Sequence, residues 1–366
     1  MAPLWDTLIN DYGIEINFAY RTFKWHNEAK GKAAVYCVII GFSNIGLSKN
    51  EKKIFDGDNG KVVSNISPYL VDSPSVIIQP SKKPICDVPE MKFGSQPRDG
   101  GNFVLTAEER AAILEREPAL DAVIKPYVGA EEFIHNKERY CIWLLNAPLA
   151  VIKNSKVLRE RIAAVETFRL SSNAKTTNQY AKVPSIFAQI AQPEGSYLLV
   201  PRVTSENRHY IPLGFMPPSM IASDAVQIIP DATLYHFGIL TSSVHMAWMR
   251  AVCGRLKSDY RYSKELVYNT FPWPDATDVQ KTAIETLAQT VLEERAKHGD
   301  ASLADLYDPI LMKTTGLLRR HENLDRAVMK LYNLSKNMAE VGTVAELMGL
   351  YRGMAEGCIY AVKSHA

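Results

Sequence analysis

The groups whose types and spacing could do chemistry gather between Tyr197 and Pro274. The β-rich stretch YLLVPRVTSENRHYIPLGF carries Arg202, Glu206, Asn207 and Arg208. Arginine pairs bidentately with O6 and N7 of guanine, asparagine with N6 and N7 of adenine, and glutamate accepts from N4 of cytosine. That set suits reading base edges and contains no activated nucleophile. Spacing alone favours a solvated, charged hairpin turn. Further on, RLKSDYRYSK interleaves Arg255, Lys257, Arg261 and Lys264 with Tyr260 and Tyr262, just after Arg250. Cations set among aromatics suit the positioning of phosphates, and also suit a solvated loop. A third group, Lys153, Lys156, Arg159, Arg161 and Arg169, recurs along a helical segment as a cationic face or a merely solvated one.

Bond-making chemistry leaves little trace. GxxxxGK[ST], GxGxxG after a strand and GxSxG do not occur. Gly100-Gly101 sits in RDGGNF and reads as a turn. Cys253, at the end of an apolar segment, reads as core. His236 and His245 lie nine residues apart on one expected helix, on opposite faces, so they cannot share a metal. Glu131 and Glu132 are adjacent and diverge in any regular structure. Asn146-Ala-Pro-Leu lacks the second proline and the aromatic of the Asn-Pro-Pro-aromatic loop that amino-group methyltransferases use on a flipped base. No catalytic and no metal-ligating residue is assigned.

The elements that must position these groups come next. The chain has 366 residues, 46% hydrophobic and 22% charged, so it can bury the core of two or three domains. Its net charge of +2 hides an uneven distribution. Residues 150–182 hold seven basic and two acidic groups, and residues 250–264 hold five and one. Residues 274–325 reverse the balance, with ten acidic and six basic. Five scattered cysteines without a CxxC pair argue against a disulfide framework or a structural zinc site. No apolar run approaches a bilayer span and no leader is visible, so a cytoplasmic protein is expected.

Residues 1–46 predict two strands, IEINFAYRTF and KAAVYCVIIGF, around a turn at WHNEAKG. The second is apolar on both faces, as inside a sheet. The polar stretch 47–61 reads as a linker. Residues 62–274 open with turns around Pro68, Pro74, Pro80, Pro84, Pro89 and Pro97. Helices follow, one started by a capping box at Thr106 and Glu109 and one over 155–170. Strands SYLLVPRV, RHYIPLGF and AVQIIP come next, and then a single helix over 234–253. Residues 275–366 read as helical, with Ile284, Leu287, Val291 and Leu292 in one stripe. The expected fold class is α/β (α+β): an N-terminal strand pair, a mixed α/β domain and a small helical C-terminal domain.

Several stretches carry a family resemblance nearly continuously from Phe18 to Tyr332. They include FAYRTFKWHNEAKGKAAVYCVIIGF, KPICDVPEMKFGSQPRDGGNFVLTAEER, YLLVPRVTSENRHYIPLGF and IASDAVQIIPDATLYHFGILTSSVHMAWMRAVCGRLKSDYRYS. The chain resembles the MmeI-like DNA methyltransferases of bacterial restriction–modification systems. The resemblance implies the last strands of a class I S-adenosylmethionine-dependent methyltransferase domain, a target recognition domain and a C-terminal helical domain. Full-length members carry the glycine-rich cofactor motif and the catalytic loop upstream of the resembling segment. What it implies is therefore the C-terminal part of a type II adenine-N6 methyltransferase, with S-adenosylmethionine the parent's cofactor and no cofactor in this chain. The expected partner is double-stranded DNA. Arg202, Glu206, Asn207 and Arg208 are expected to read bases. Arg250, Arg255, Lys257, Arg261, Lys264, Lys153, Lys156 and Arg159 are expected to hold phosphates. The alternative is an interaction subunit that completes a separate methyltransferase polypeptide, or self-associates, through residues 14–42.

Overall fold

The computed structural model describes residues 2–26, 34–48 and 50–363. Most of the turn expected at WHNEAKG lies outside the described residues. In chain order the elements begin with α1 (Ala2–Asp6), β1 (Ile14–His26), β2 (Ala34–Asn44), β3 (Lys52–Asp56) and β4 (Asn59–Val63). Next come β5 (Lys92–Phe93), β6 (Val104–Leu105), α2 (Ala107–Arg116), β7 (Ile124–Val128), α3 (Ala130–His135) and β8 (Tyr140–Ile142). Helices α4 (Leu149–Asn154), α5 (Lys156–Ser171) and α6 (Lys175–Gln179) precede β9 (Tyr197–Pro201), β10 (Val203–Thr204) and β11 (Gly214–Met216). Then follow β12 (Ile221–Ala222), β13 (Val226–Pro230), α7 (Leu234–Leu240), α8 (Ser243–Val252), β14 (Gly254–Leu256) and β15 (Asp259–Arg261). The rest is helical: α9 (Asp278–Ala296), α10 (Leu303–Leu306), α11 (Leu311–Thr314), α12 (Leu317–Leu331) and α13 (Glu340–Lys363). Among the described residues no helix is long and apolar enough to cross a membrane.

The chain forms two compact units. The first gathers Met1–Val88, Ser242–Ile284 and His321–Ala366. Its sheet has the order β2-β1-β3-β4, with β1 antiparallel to β2 and parallel to β3. The polar stretch after residue 46 is more than a connector: β3 and β4 form a hairpin with Asp56 opposite Asn59. Gly57 supplies the positive φ (59°) that such a two-residue loop needs. Polarity hides these strands because each buries one side chain, Ile54 and Val63. Those two pack with Trp5, Ile16, Ala19 and Ile66. Strand β2 corrects an expectation. It lies at the sheet edge, and Val38, Ile39 and Phe42 are 46%, 46% and 52% exposed. Apolar character on both faces marks a strand that wants two covers, and the described residues supply only part of one.

Also in this unit, α8 is anchored by Trp248, whose indole N–H donates to the Val267 carbonyl at 3.2 Å. Phe271 and Trp273 of the FPWP segment stack edge-to-face, centroids 5.6 Å apart, and the Tyr332 hydroxyl donates to the Pro272 carbonyl at 2.9 Å. The segment is a packed joint whose prolines restrict the backbone. His245 is fully buried against Phe271, with its Nε2 2.9 Å from the Tyr262 hydroxyl, and burial lowers its pKa to about 3. The single helix expected over 234–253 is two. Periodicity runs straight through Thr241-Ser242, yet Ser242 is extended and its hydroxyl accepts from the His245 N–H, starting α8 afresh. Serine and threonine offer the backbone this exit from a helix. His236 therefore sits on α7 and His245 on α8.

The second unit comprises Pro89–Thr241 and Glu285–Arg320. One sheet, β11-β9-β13-β5, pairs its neighbours antiparallel; the other, β12-β7-β8-β6, contains the parallel pair β12–β7. Tyr197, Leu199, Val226 and Ile228 fill one core with Val128 and Phe133, and Phe103, Leu105, Leu158, Val165 and Phe187 fill a second. The Thr106 capping box is present: its hydroxyl accepts from the Glu109 N–H at 3.2 Å, and its own N–H donates to Glu109 at 2.9 Å. Helix α5 begins after Ser155, whose hydroxyl accepts from Leu158 N–H at 3.0 Å. The architecture is α+β with a helical C-terminal region, as the pattern of elements predicts.

Candidate nucleic-acid interface

In the second unit, the backbone turns sharply after β10. The Ser205 carbonyl accepts from the Arg208 N–H at 3.2 Å, and the Ser205 hydroxyl accepts from the Asn207 N–H at 3.3 Å. Glu206 and Asn207 occupy the corner, with Asn207 exposed and Glu206 and Arg208 half-buried. Thr204 on one side and Tyr210, Ile211 and Leu213 on the other are buried, so both ends of the loop are clamped. Arg295 reinforces the exit: its Nη1 donates to the Leu213 carbonyl at 2.5 Å, while its Nε donates to the Tyr307 hydroxyl at 2.9 Å. A polar corner held by buried flanks is how a rigid scaffold presents a recognition loop.

Arg202 belongs to the same unit but not to the corner. Its Nη1 donates to the Asp224 carbonyl at 2.7 Å, and its guanidinium lies 4.8 Å from the Phe93 ring centroid. Spacing gave no sign of this anchorage, which comes from the pairing of β9 with β13, where Pro201 faces Val226.

The cationic helix group is only partly as expected. Lys153 on α4 and Lys156 and Arg159 on α5 are exposed. Arg161 donates to the Asn102 carbonyl at 2.6 Å. Arg169 is the correction: it is 0% exposed and donates to five backbone carbonyls, those of Pro97, Arg98, Tyr180, Val183 and Ile186, at 2.8–3.0 Å. It is a staple, not a surface charge. Helical spacing put it with the other cations because a period counts faces, and only the packed loops turn that face inward.

In the first unit, RLKSDYRYSK folds as a hairpin. Arg255 opposes Tyr260 and Leu256 opposes Asp259, leaving Lys257 and Ser258 as the loop. Lys257 adopts φ 57°, which side chains rarely do. Arg255, Lys257 and Arg261 are exposed, and Lys264 is half-buried. Arg255 lies over Tyr260 at 3.8 Å, and its Nη1 donates to the Ser258 carbonyl at 2.7 Å. The tyrosines are no stacking platform: Tyr260 and Tyr262 are buried. Arg250 pairs with Glu340 at 2.8 Å. Cys253 is half-buried beside it, and burial pushes its thiol up to about 11, away from nucleophilic use.

These features present a clamped polar corner and an exposed basic hairpin, without an organised bond-making set. Residues 72–275 match the model of the MmeI target recognition domain. The chain belongs to the MmeI family. Residues 276–358 match the MmeI C-terminal domain, and residues 1–56 match the MmeI DNA-methyltransferase domain. The solved structure of the Type IIL restriction-modification enzyme MmeI in complex with DNA is 42% identical with a TM-score of 0.87, and the match covers 97% of this chain and 48% of that one. DNA methyltransferase A of Bacillus subtilis (strain 168) is 40% identical over 356 residues, 97% of this chain and 40% of its own length. The chain thus spans less than half the length of either relative.

Proposed function

We propose that this chain binds duplex DNA and reads a short sequence within it, as the recognition part of a type II restriction–modification adenine-N6 methyltransferase. The clamped corner at 205–208, inside a segment that matches a target recognition domain, carries this reading. Glu206, Asn207 and Arg208 at the corner and Arg202 beside Asp224 read base edges. Arg255, Lys257, Arg261 and Lys264 hold phosphates, as do Lys153, Lys156 and Arg159. Arg250 is the weakest of the set, since its guanidinium already pairs with Glu340. S-adenosylmethionine would supply the methyl group to the whole enzyme. The residues present here do not fit it, because no glycine-rich strand-to-helix turn occurs in the sequence to cradle it. The chain's own part is to bind and to discriminate. Contact with about five phosphates gives a slope of about −4 to −5 for log K against log salt concentration. Fluorescence anisotropy of a labelled duplex across a salt series measures it, and an affinity indifferent to salt sinks the reading.

A second reading rests on the open edge at β2. Val38, Ile39 and Phe42 are half-exposed on a strand that pairs on one side only among the described residues. Residues 1–56 match a methyltransferase domain, so further strands or helices of such a domain are the occupants proposed for that edge. An uncovered apolar edge otherwise invites self-association. Val38→Lys with Phe42→Lys places charges on two side chains that are 46% and 52% exposed. The pair is expected to abolish association, measured by light scattering, while DNA binding stays intact; unchanged association refutes the docking edge.

A further inference from the structure

A row of side chains that no sequence motif connects runs beside Arg202. Gly94 makes it possible. A Cβ there would stand 2.1 Å from the Ser223 carbonyl oxygen, so only glycine lets the segments that follow β5 and β12 approach this closely. Ser95 N–H then donates to the Ala222 carbonyl at 2.7 Å, which brings Gln96 alongside Asp224. The Gln96 amide nitrogen donates to Asp224 Oδ2 at 2.9 Å, and its oxygen accepts from Arg98 Nε at 2.8 Å. The Asp224 carbonyl accepts from Arg202. The result is a continuous chain, Arg98–Gln96–Asp224–Arg202.

Arg98 is held at both ends. Its backbone is left-handed (φ 46°), and its carbonyl and that of Pro97 are bonded by the buried Arg169. Its guanidinium lies 5.6 Å from the Tyr180 ring centroid, and Nη1 reaches Thr176 Oγ1 at 3.4 Å. A half-buried arginine fixed in this way has lost its rotamer entropy before any ligand arrives. Its Nη2 makes no hydrogen bond with another described residue, and the residue is not fully buried.

We infer that Arg98 is a further base-reading residue, that Asp224 is its acceptor neighbour, and that Gln96 is the residue that positions both. This inference rests on the DNA-recognition reading above. The Asp224 carboxylate decides between base and phosphate. A carboxylate in the row repels a phosphate, whereas base edges offer donors and acceptors side by side, so a mixed guanidinium–carboxylate row matches a base pair. Guanine accepts from the Arg98 fork, and its cytosine partner donates N4–H to a carboxylate.

The test is selection from a pool of duplexes with a randomised core by the full-length chain and its variants, with thermal midpoints checked in parallel. Arg98→Lys keeps the charge and loses the fork. It is expected to lower discrimination at one base pair by about tenfold or more, with the salt slope unchanged. Gln96→Leu leaves Arg98 in place but unaligned and is expected to lower discrimination at that same base pair. The double variant Q96E/D224N restores the row, because the new carboxylate accepts from both neighbours, and it is expected to recover the guanidinium's preference. Uniform weakening by Arg98→Lys with a slope smaller by about one marks a phosphate contact and overturns the inference. Unchanged selection overturns it too. If Arg208→Ala shifts the preferred sequence while Arg98→Lys does not, this inference fails and the reading beneath it stands. If the wild-type chain selects no duplex at all, both fail.

Discussion

Arg208→Ala is expected to change which duplex the chain prefers, while Arg255→Glu combined with Lys257→Glu weakens every duplex alike. The physical reason is the difference between base edges and phosphates. A bidentate base contact is worth about 1–3 kcal/mol of discrimination against the wrong pair. Phosphate contacts carry no sequence information, and each one lost takes about one unit from the salt slope. Arg208 follows a corner whose flanks, Thr204 and Tyr210, are buried, so its truncation leaves the loop in place. Arg255 and Lys257 stand exposed on the 254–261 hairpin, and reversal there exchanges attraction for repulsion at two points. The expected result for the double reversal is a loss of affinity of two orders of magnitude or more at low salt, shrinking as salt screens the charges. Titrations on the preferred duplex and on one altered base pair separate the two effects. Should Arg208→Ala weaken both duplexes equally, the corner is not a reader.

Removing the buried guanidinium of Arg169 is expected to cost the second unit its fold. Five backbone carbonyls from two loops converge on this one side chain, which is 0% exposed. Orphaning a buried acceptor costs about 1–3 kcal/mol, so losing several approaches the whole stability of a domain, about 5–15 kcal/mol. Arg169→Met keeps the volume and drops every donor; Arg169→Lys keeps the charge with three donors for five acceptors. The order of stability expected in chemical denaturation is wild type, then Arg169→Lys, then Arg169→Met, with the last unfolded or proteolysed at the 97–102 and 180–186 loops. Native-like stability for Arg169→Met would mean that those loops are held by something else.

Much of this fold was legible in the sequence. Thr106 with Glu109 is a local signal whose hydrogen bonds span three residues, and the structure keeps it. Strands β1, β2, β9 and β13 follow from short runs of apolar, β-branched and aromatic residues. Local signals also misled where a competing one lay inside them. Thr241-Ser242 interrupts an unbroken apolar period, and hydroxyl capping won over periodicity. Polarity concealed β3 and β4, which bury one residue each.

Sequence by itself determined what depends on neighbours along the chain: the helix starts, the strand pattern, the basic middle and acidic later region, and the residue types that could read bases. Tertiary structure alone decided which of those residues are available. It buried Arg169, Tyr260 and Tyr262, paired β2 on one side only among the described residues, and joined Gln96 to Asp224 across 128 positions. The reason is that a side chain's solvation and partners are set by segments distant in sequence, whose approach depends on close packing at points such as Gly94 and not on any period that a linear reading can count.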